Sequence, residues 1–113
     1  MLRDFFLGFI KIHILHHAAQ EPVFGLALIR ELARHGYDVS PGTLYPVLHS
    51  LERTGYLHCE ARVVQGKVRK YYRTTPHGEQ ALEEARTKIH ELVTEVLQGE
   101  GPQELERRDD PPA

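Results

Sequence analysis

The feature that most restricts the fold is a single predicted β-hairpin in a chain that is otherwise helical. Residues 56–64 and 68–74 are rich in β-branched and aromatic side chains, which favour extended strands. The segment between them, Gln65-Gly66-Lys67, is short and contains glycine. The two strands are therefore predicted to form a hairpin with a basic tip.

The two faces of the second strand differ in chemistry. Side chains alternate along a strand, so Arg69, Tyr71 and Arg73 are predicted on one face. Val68 and Tyr72 are predicted on the other face, where both can be buried. The hairpin should therefore carry charge on one side and contact a core with the other.

Basic charge is concentrated in and around this hairpin. The 113-residue chain has a net charge of −2, but residues 61–78 contain five basic side chains and no acidic one. Residues 1–98 hold 12 Lys and Arg against 11 Asp and Glu, whereas residues 99–113 hold 2 against 5. Because partners respond to the distribution of charge rather than to its sum, the hairpin is a candidate surface for polyanions.

Four helices are predicted, at residues 5–19, 24–35, 41–54 and 76–98. The third begins at Ser40-Pro41 and the fourth at Thr75-Pro76, each with an N-cap residue followed by proline at the first helical position. The second and third are predicted to end at glycines, Gly36 and Gly55.

The first and fourth helices both carry more apolar surface than one small domain can cover. The first is apolar on every side, so part of it is expected to meet a second chain. The fourth has one apolar stripe on a rod about 33 Å long. A homodimer is predicted through eight side chains of these helices: Phe6, Ile10, Ile14, Leu82, Ile89, Leu92, Val93 and Val96.

The predicted element order is that of a winged helix-turn-helix, a mainly helical α+β fold with a long C-terminal dimerisation helix. The DNA-binding domain would span residues 1–75 and the dimerisation helix 76–98, followed by a disordered acidic tail, 99–113. The third helix would enter the major groove and the hairpin, the wing, would lie along the phosphates. The residues predicted to contact DNA are Ser40, Pro41, Gly42, Thr43, Tyr45, His49, Arg53, Gly66, Lys67, Arg69, Lys70 and Tyr71.

Over residues 5–97 the chain resembles the PadR family of bacterial transcriptional regulators. The resemblance rests on Pro22 with Phe24-Gly25, on Ser40-Pro41-Gly42-Thr43-Leu44-Tyr45-Pro46, on Leu48, Leu51-Glu52 and Gly55, on Arg69-Lys70-Tyr71-Tyr72-Arg73-Thr74, and on Gly78. It implies a homodimer joined through its first and last helices, usually a repressor, on a palindromic duplex operator. The single C-terminal helix is similar to that of the short subfamily, and the resemblance allows for a small-molecule effector.

Histidines of the first helix raise one alternative, a metal-responsive regulator. His13 and His17 are spaced i,i+4 and share a helix face, an arrangement that zinc or another divalent ion could use. Two ligands do not make a site, and a third would have to come from elsewhere, such as His90 or another protomer. Histidines without a metal are the simpler interpretation, and no cofactor is predicted.

Other classes of protein find little support. Cys59 is the only cysteine, which excludes an internal disulfide, and it is interpreted as a small core residue. Common catalytic motifs are absent, so no enzyme is predicted. No apolar run approaches the roughly 20 residues of a membrane span, and no signal peptide is recognised, so a cytoplasmic protein is expected. A protein-interaction module, with the wing on an acidic partner, remains the alternative from another class.

Overall fold

The computed structural model describes residues 2–99, and its elements follow the predicted order with one addition, a short strand before the second helix. They are α1 (Leu2–Gln20), β1 (Val23–Phe24), α2 (Gly25–Arg34), α3 (Pro41–Arg53), β2 (Leu57–Val64), β3 (Lys67–Thr74) and α4 (Pro76–Val96). The mainly helical α+β class is confirmed. The predicted acidic tail lies outside the described residues except for Gly99.

The chain divides into two compact units within α4. The first unit ends at Leu82 and the second begins at Glu83. The first therefore contains α1 to α3, the three strands and the opening turns of α4. The predicted boundary between residues 75 and 76 separates a DNA-binding role from a dimerisation role, and it stays a prediction.

The strands form one antiparallel sheet in the order β1-β3-β2. β2 and β3 pair from Leu57 opposite Thr74 to Val64 opposite Lys67. Only Gln65 and Gly66 connect them, with φ of 53° and 78°. Positive φ at both central residues is the pattern of a type I′ turn, whose twist matches that of the strands. The predicted three-residue connection was one residue too long, because Lys67 already belongs to β3.

The strand β1 was not predicted. Phe24 pairs with Tyr71 and Val23 with Tyr72, at the free edge of β3. Two residues are too few to show strand periodicity, and Phe24 was assigned to the second helix. The sheet partner, not the local sequence, makes this segment extended.

The core is formed by one face of the sheet and by the inner faces of the helices. The largest fully buried side chains are Tyr72, Ile14, Leu28, Leu32, Leu44 and Leu48. A buried hydrogen bond links the sheet to α1, where the Thr74 hydroxyl donates to the Leu15 carbonyl at 2.8 Å. The predicted core role of Tyr72 is confirmed, and Cys59 packs half-buried against the same cluster.

The predicted burial of Val68 was wrong. Val68 is 70% exposed, as is its cross-strand neighbour Val63 at 73%. At about 3.3 Å per residue, four residues separate Val68 from the buried Tyr72 by about 13 Å. The hairpin tip thus extends beyond the layer of helices that covers Tyr72.

Three residues expected at a dimer interface lie instead in the core of the single chain. Ile10 is 5% exposed, Ile14 0% and Leu82 2%. Their apolar character is explained by packing within the first unit, so they have no surface left for a second copy. Phe6, Ile89, Leu92, Val93 and Val96 remain exposed.

Both predicted glycine stops are confirmed. Gly36 and Gly55 have φ of +86° and +84°. The amide of Tyr37 donates to the Leu32 carbonyl and that of Tyr56 to the Leu51 carbonyl, which closes each helix in a Schellman motif. The short connection from α2 to α3 follows from the first of these stops.

The two predicted N-caps differ. The Thr75 hydroxyl accepts a hydrogen bond from the Gly78 amide at 3.0 Å, so it caps α4 as expected. Ser40 occupies the N-cap position of α3, but its side chain makes no capping bond. Its hydroxyl lies 3.4 Å from that of Thr43 instead, and the amides of Thr43 and Leu44 donate to the Ser40 carbonyl.

Removing the Tyr72 hydroxyl is expected to leave stability unchanged within about 1 kcal/mol. This oxygen is buried and has no hydrogen-bond partner among the described residues. Burial, with a contribution from the nearby Cys59 thiol, raises the pKa of Tyr72 to about 12. In urea unfolding at matched protein concentration, Tyr72→Phe should resemble wild type, whereas Tyr72→Ala should lose about 3–5 kcal/mol. A loss above about 2 kcal/mol for Tyr72→Phe would show that the hydroxyl is hydrogen-bonded.

Candidate nucleic-acid interface

The helix α3 separates a buried apolar line from an exposed polar one. Leu44, Leu48 and Leu51 are buried against the core. Because these residues fix the helix by one side, the opposite side faces solvent. The exposed residues of α3 and its N-cap include Ser40, Pro41, Gly42, Tyr45, Pro46, His49 and Arg53, and Thr43 is half-buried. Every predicted contact residue of this helix is thus at least partly accessible.

Tyr45 is held by the helix that precedes α3. A Cβ atom at Gly25, the first residue of α2, would lie 2.5 Å from the Tyr45 hydroxyl oxygen and 2.8 Å from the ring carbon that bears it. The ring therefore covers Gly25, while 38% of the residue stays exposed. The His49 ring lies one turn further on, 6.5 Å from that of Tyr45 between centroids. Glycine at position 25 lets the Tyr45 ring lie close to α2.

The hairpin presents its basic side chains in two ways. Lys67 and Lys70 are exposed and take part in no ion pair among the described residues. Arg69 is half-buried, and its guanidinium carbon lies 4.7 Å from the centroid of the Phe24 ring. The two lysines are therefore free to move towards a polyanion, whereas Arg69 is oriented by an aromatic contact worth about 0.5–1 kcal/mol at an exposed site.

Two residues outside the predicted contact set, Phe24 and Arg62, contact its member Tyr71. The Phe24 and Tyr71 rings form a T-shaped pair with centroids 5.6 Å apart, and the Arg62 guanidinium carbon lies 4.8 Å from the centroid of the Tyr71 ring. Arg62 is the cross-strand partner of Arg69. The hairpin register could have identified Arg62, because opposite residues of an antiparallel pair share a face. Nothing local to Phe24 indicated its contact with β3.

Two histidines of α1 cluster with a histidine at the end of α2. His13 and His17 are half-buried and stack with their rings 6.3 Å apart, and His35, at the end of α2, stacks on His13 at 4.7 Å. Burial, followed by repulsion from neighbouring histidines, lowers the pKa of His13, and burial also lowers that of His17 against the opposing effect of Glu31. The third histidine comes from α2, a source that the sequence did not indicate.

Cys59 and its neighbour His58 do not form a catalytic pair. His58 is exposed on the side of β2 opposite the half-buried Cys59. Adjacent strand residues point to opposite faces, as predicted. In the described part of the chain, no helix combines the length and apolar character needed to cross a membrane.

Comparisons with known proteins find matches to transcriptional regulators. The family model described as the transcriptional regulator PadR-like family matches residues 14–84. Transcriptional regulator Rv3488 of Mycobacterium tuberculosis (strain ATCC 25618 / H37Rv) is 54% identical over 99 residues, which cover 88% of this chain and 92% of the relative.

Solved structures agree with the sequence comparison. A PadR family transcriptional regulator from Eggerthella lenta DSM 2243 superposes with a TM-score of 0.75 at 36% identity, over 87% of each chain. A PadR-like transcriptional regulator from Bacillus cereus strain ATCC 14579 gives 0.70 at 33% identity, over 82% of this chain and 95% of that one. Both likenesses extend beyond α3 and the hairpin to most of the chain.

Proposed function

Because the chain belongs to the PadR-like family of transcriptional regulators, which bind DNA, we propose that it acts in the cytoplasm as a dimeric repressor on a palindromic operator. In this proposal α3 enters the major groove and the β2–β3 hairpin lies along the backbone as the wing. The family consists of transcriptional regulators and not of enzymes.

We assign DNA binding to α3 because one side of this helix is buried and apolar and the other is exposed and polar. Three leucines anchor the helix in the core, and its other side exposes small and polar groups. Gly42 permits close approach of a phosphate or base to the backbone, and Thr43, Tyr45 and His49 supply donors and acceptors.

Two positively charged lysines and the exposed tip support the role of the hairpin. Gly66 lies at the turn, and Val63 and Val68 behind it are solvent-exposed. No helix among residues 2–99 therefore covers the tip, so Lys67 and Lys70 are accessible to a duplex that α3 engages. Contacts of this kind go to phosphates, which position a protein on DNA without reading its sequence.

Exposed apolar side chains support the dimer. In α1, Phe5, Phe6 and Phe9 are 59%, 45% and 44% exposed. In α4, four members of the predicted stripe are exposed: Ile89, Leu92, Val93 and Val96. Burial of such side chains is favourable by about 1.5–3 kcal/mol each, which favours a second copy of the chain as the partner of both helices.

Alanine substitutions on the outer side of α3 are expected to weaken operator binding without unfolding the protein. Thr43→Ala, Tyr45→Ala and His49→Ala should each reduce operator affinity by about 1–3 kcal/mol, which corresponds to about 5- to 150-fold. Thr43→Ala and His49→Ala should melt close to wild type, because neither side chain is fully buried. Tyr45→Ala should melt somewhat lower, because it loses the packing of its ring over Gly25. Fluorescence anisotropy with operator duplex, together with thermal unfolding, measures both quantities.

Thr87→Ala and His90→Ala are matched controls, because both residues are exposed on α4 outside the proposed interface. They should bind operator as wild type does. If all three α3 variants also bind with wild-type affinity, α3 is not the helix that reads DNA.

A further inference from the structure

Three histidines and one carboxylate converge between α1 and the C-terminal end of α2. One ring nitrogen from each of His13, His17 and His35 can be chosen so that all lie within 4.8 Å of one another. The Glu31 carboxylate oxygen Oε1 lies 3.4 Å from Nε2 of His35 and 3.7 Å from Nε2 of His17. We propose that these four side chains bind one divalent transition-metal ion of the zinc class.

The arrangement arises from two helical pairs that face each other. His13 and His17 are four residues apart in α1, and Glu31 and His35 are four residues apart in and just beyond α2. Residues at this spacing lie on the same side of a helix. The packing of α1 against α2 therefore brings four donor groups to one place, which neither helix could do alone.

The distances suit a metal after a small closure of the side chains. Zinc binds imidazole nitrogen at about 2.0–2.1 Å, which places two nitrogens of a tetrahedral site about 3.3 Å apart. Among the three histidines, the ring nitrogens lie up to 4.8 Å apart, so the widest of these separations must shorten by about 1.5 Å. Side chains that are partly exposed can rotate by that much, and the side chains of His17, Glu31 and His35 are 23%, 27% and 45% exposed. An ion can thus reach the site from solvent.

The carboxylate is already oriented for this role. The Arg34 guanidinium donates to Glu31 Oε2 at 3.0 Å, which leaves Oε1 directed towards His17 and His35. Partial burial alone would raise the pKa of Glu31, but the nearby Arg34, with smaller contributions from His17 and His35, lowers it. Residues that hold a ligand in this way commonly affect metal affinity by 10- to 100-fold.

The donor types define the class of ion. Three imidazoles and one carboxylate suit Zn²⁺, Co²⁺, Ni²⁺ and Cu²⁺, whereas Mg²⁺ and Ca²⁺ prefer oxygen donors alone. The single thiol, Cys59, lies on β2 and is not part of the cluster. An ion bound here would join α1 to α2, the first helix of the helix-turn-helix.

The test uses the full chain without a histidine tag, after treatment with a chelator to remove bound metal. Zn²⁺ is titrated into it by calorimetry, and Co²⁺ is titrated with detection by visible absorption. We expect one ion per chain and the intense absorption of four-coordinate Co²⁺ without a thiolate charge-transfer band. Zn²⁺ at 100 times its Kd should raise the melting temperature by on the order of 10 °C.

Variants separate this site from other histidines. His13→Gln combined with His35→Gln should lower Zn²⁺ affinity by at least about 100-fold and abolish the thermal shift, and Arg34→Gln should lower affinity by about 10-fold. His58→Gln and His90→Gln, exposed histidines on β2 and α4, should bind Zn²⁺ as wild type does. Wild-type affinity in the double variant, or loss of binding in His90→Gln, would overturn the proposal.

NMR of the unmutated protein tests the same site without any variant, so the result does not depend on whether the variants fold. Imidazole nitrogen NMR shifts on addition of one equivalent of Zn²⁺ should be large for His13, His17 and His35 and small for the other five histidines. Large shifts at other histidines, with none at these three, would place the ion elsewhere.

Discussion

Replacing Leu92 and Val96 by glutamate is expected to convert the protein from a dimer to a monomer. Both side chains are exposed in the single chain, at 52% and 65%, and both belong to the apolar stripe of α4. In a dimer they would be buried, and an unpaired buried charge costs about 3–5 kcal/mol. Four new carboxylates per dimer should raise the dimer Kd by at least about a thousandfold, which corresponds to about 4 kcal/mol.

The same change should strongly weaken operator binding without touching α3 or the hairpin. A dimer engages both half-sites of a palindrome, and the second engagement is effectively intramolecular. Loss of that linkage is worth about 10²- to 10⁴-fold in affinity. Light scattering measures the mass and anisotropy measures the binding, on the same samples.

The matched control places the same charge on the opposite side of α4. Gln80→Glu combined with Thr87→Glu adds two carboxylates at exposed positions away from the apolar stripe. This variant should remain dimeric and bind operator normally. A wild-type protein that is monomeric at micromolar concentration, or a Leu92→Glu, Val96→Glu variant that stays dimeric, would contradict the proposed interface.

The second large effect is expected for the hairpin lysines. Lys67→Ala combined with Lys70→Ala should make the slope of log K against log salt shallower by about 2–4. A dimer has two wings, so the change removes up to four phosphate contacts at about 0.9 each. Affinity for operator and for random duplex should fall together, because no base contact is lost.

The chain provides its own control for this experiment. It contains four lysines, and the other two, Lys11 and Lys88, are exposed on α1 and α4. Lys11→Ala combined with Lys88→Ala makes the same change in net charge away from the hairpin, and it should leave the salt slope nearly unchanged. Equal slopes for wild type and the hairpin variant, or a loss confined to the operator, would show that the hairpin is not a phosphate-binding wing.

Features coded by neighbouring residues were predictable from the sequence. The stops at Gly36 and Gly55 need only a residue that tolerates positive φ, and the start of α4 needs only Thr75 and the proline after it. The hairpin was found because β-branched residues flank a glycine-containing turn. In each case the signal and the structure that it specifies lie within about five residues of each other.

Features that depend on packing were not predictable in this way. The strand β1 is extended because Phe24 pairs with Tyr71, and the two are far apart in the sequence. His35 joins His13 only because α2 packs on α1. Apolar periodicity also does not distinguish a core from an interface, which is why Ile14 was assigned to the dimer although one chain buries it completely.

The central claim, that this is a sequence-specific DNA-binding protein, is tested most directly by selection from a random duplex library. The purified protein is incubated with the library at moderate salt, and bound duplexes are amplified and sequenced over several rounds. We predict enrichment of an inverted repeat whose half-sites are centred about one helical turn, 10–10.5 base pairs, or a multiple of it apart. A bound pool that shows no enriched sequence over the input would contradict the account and favour a protein-interaction module instead.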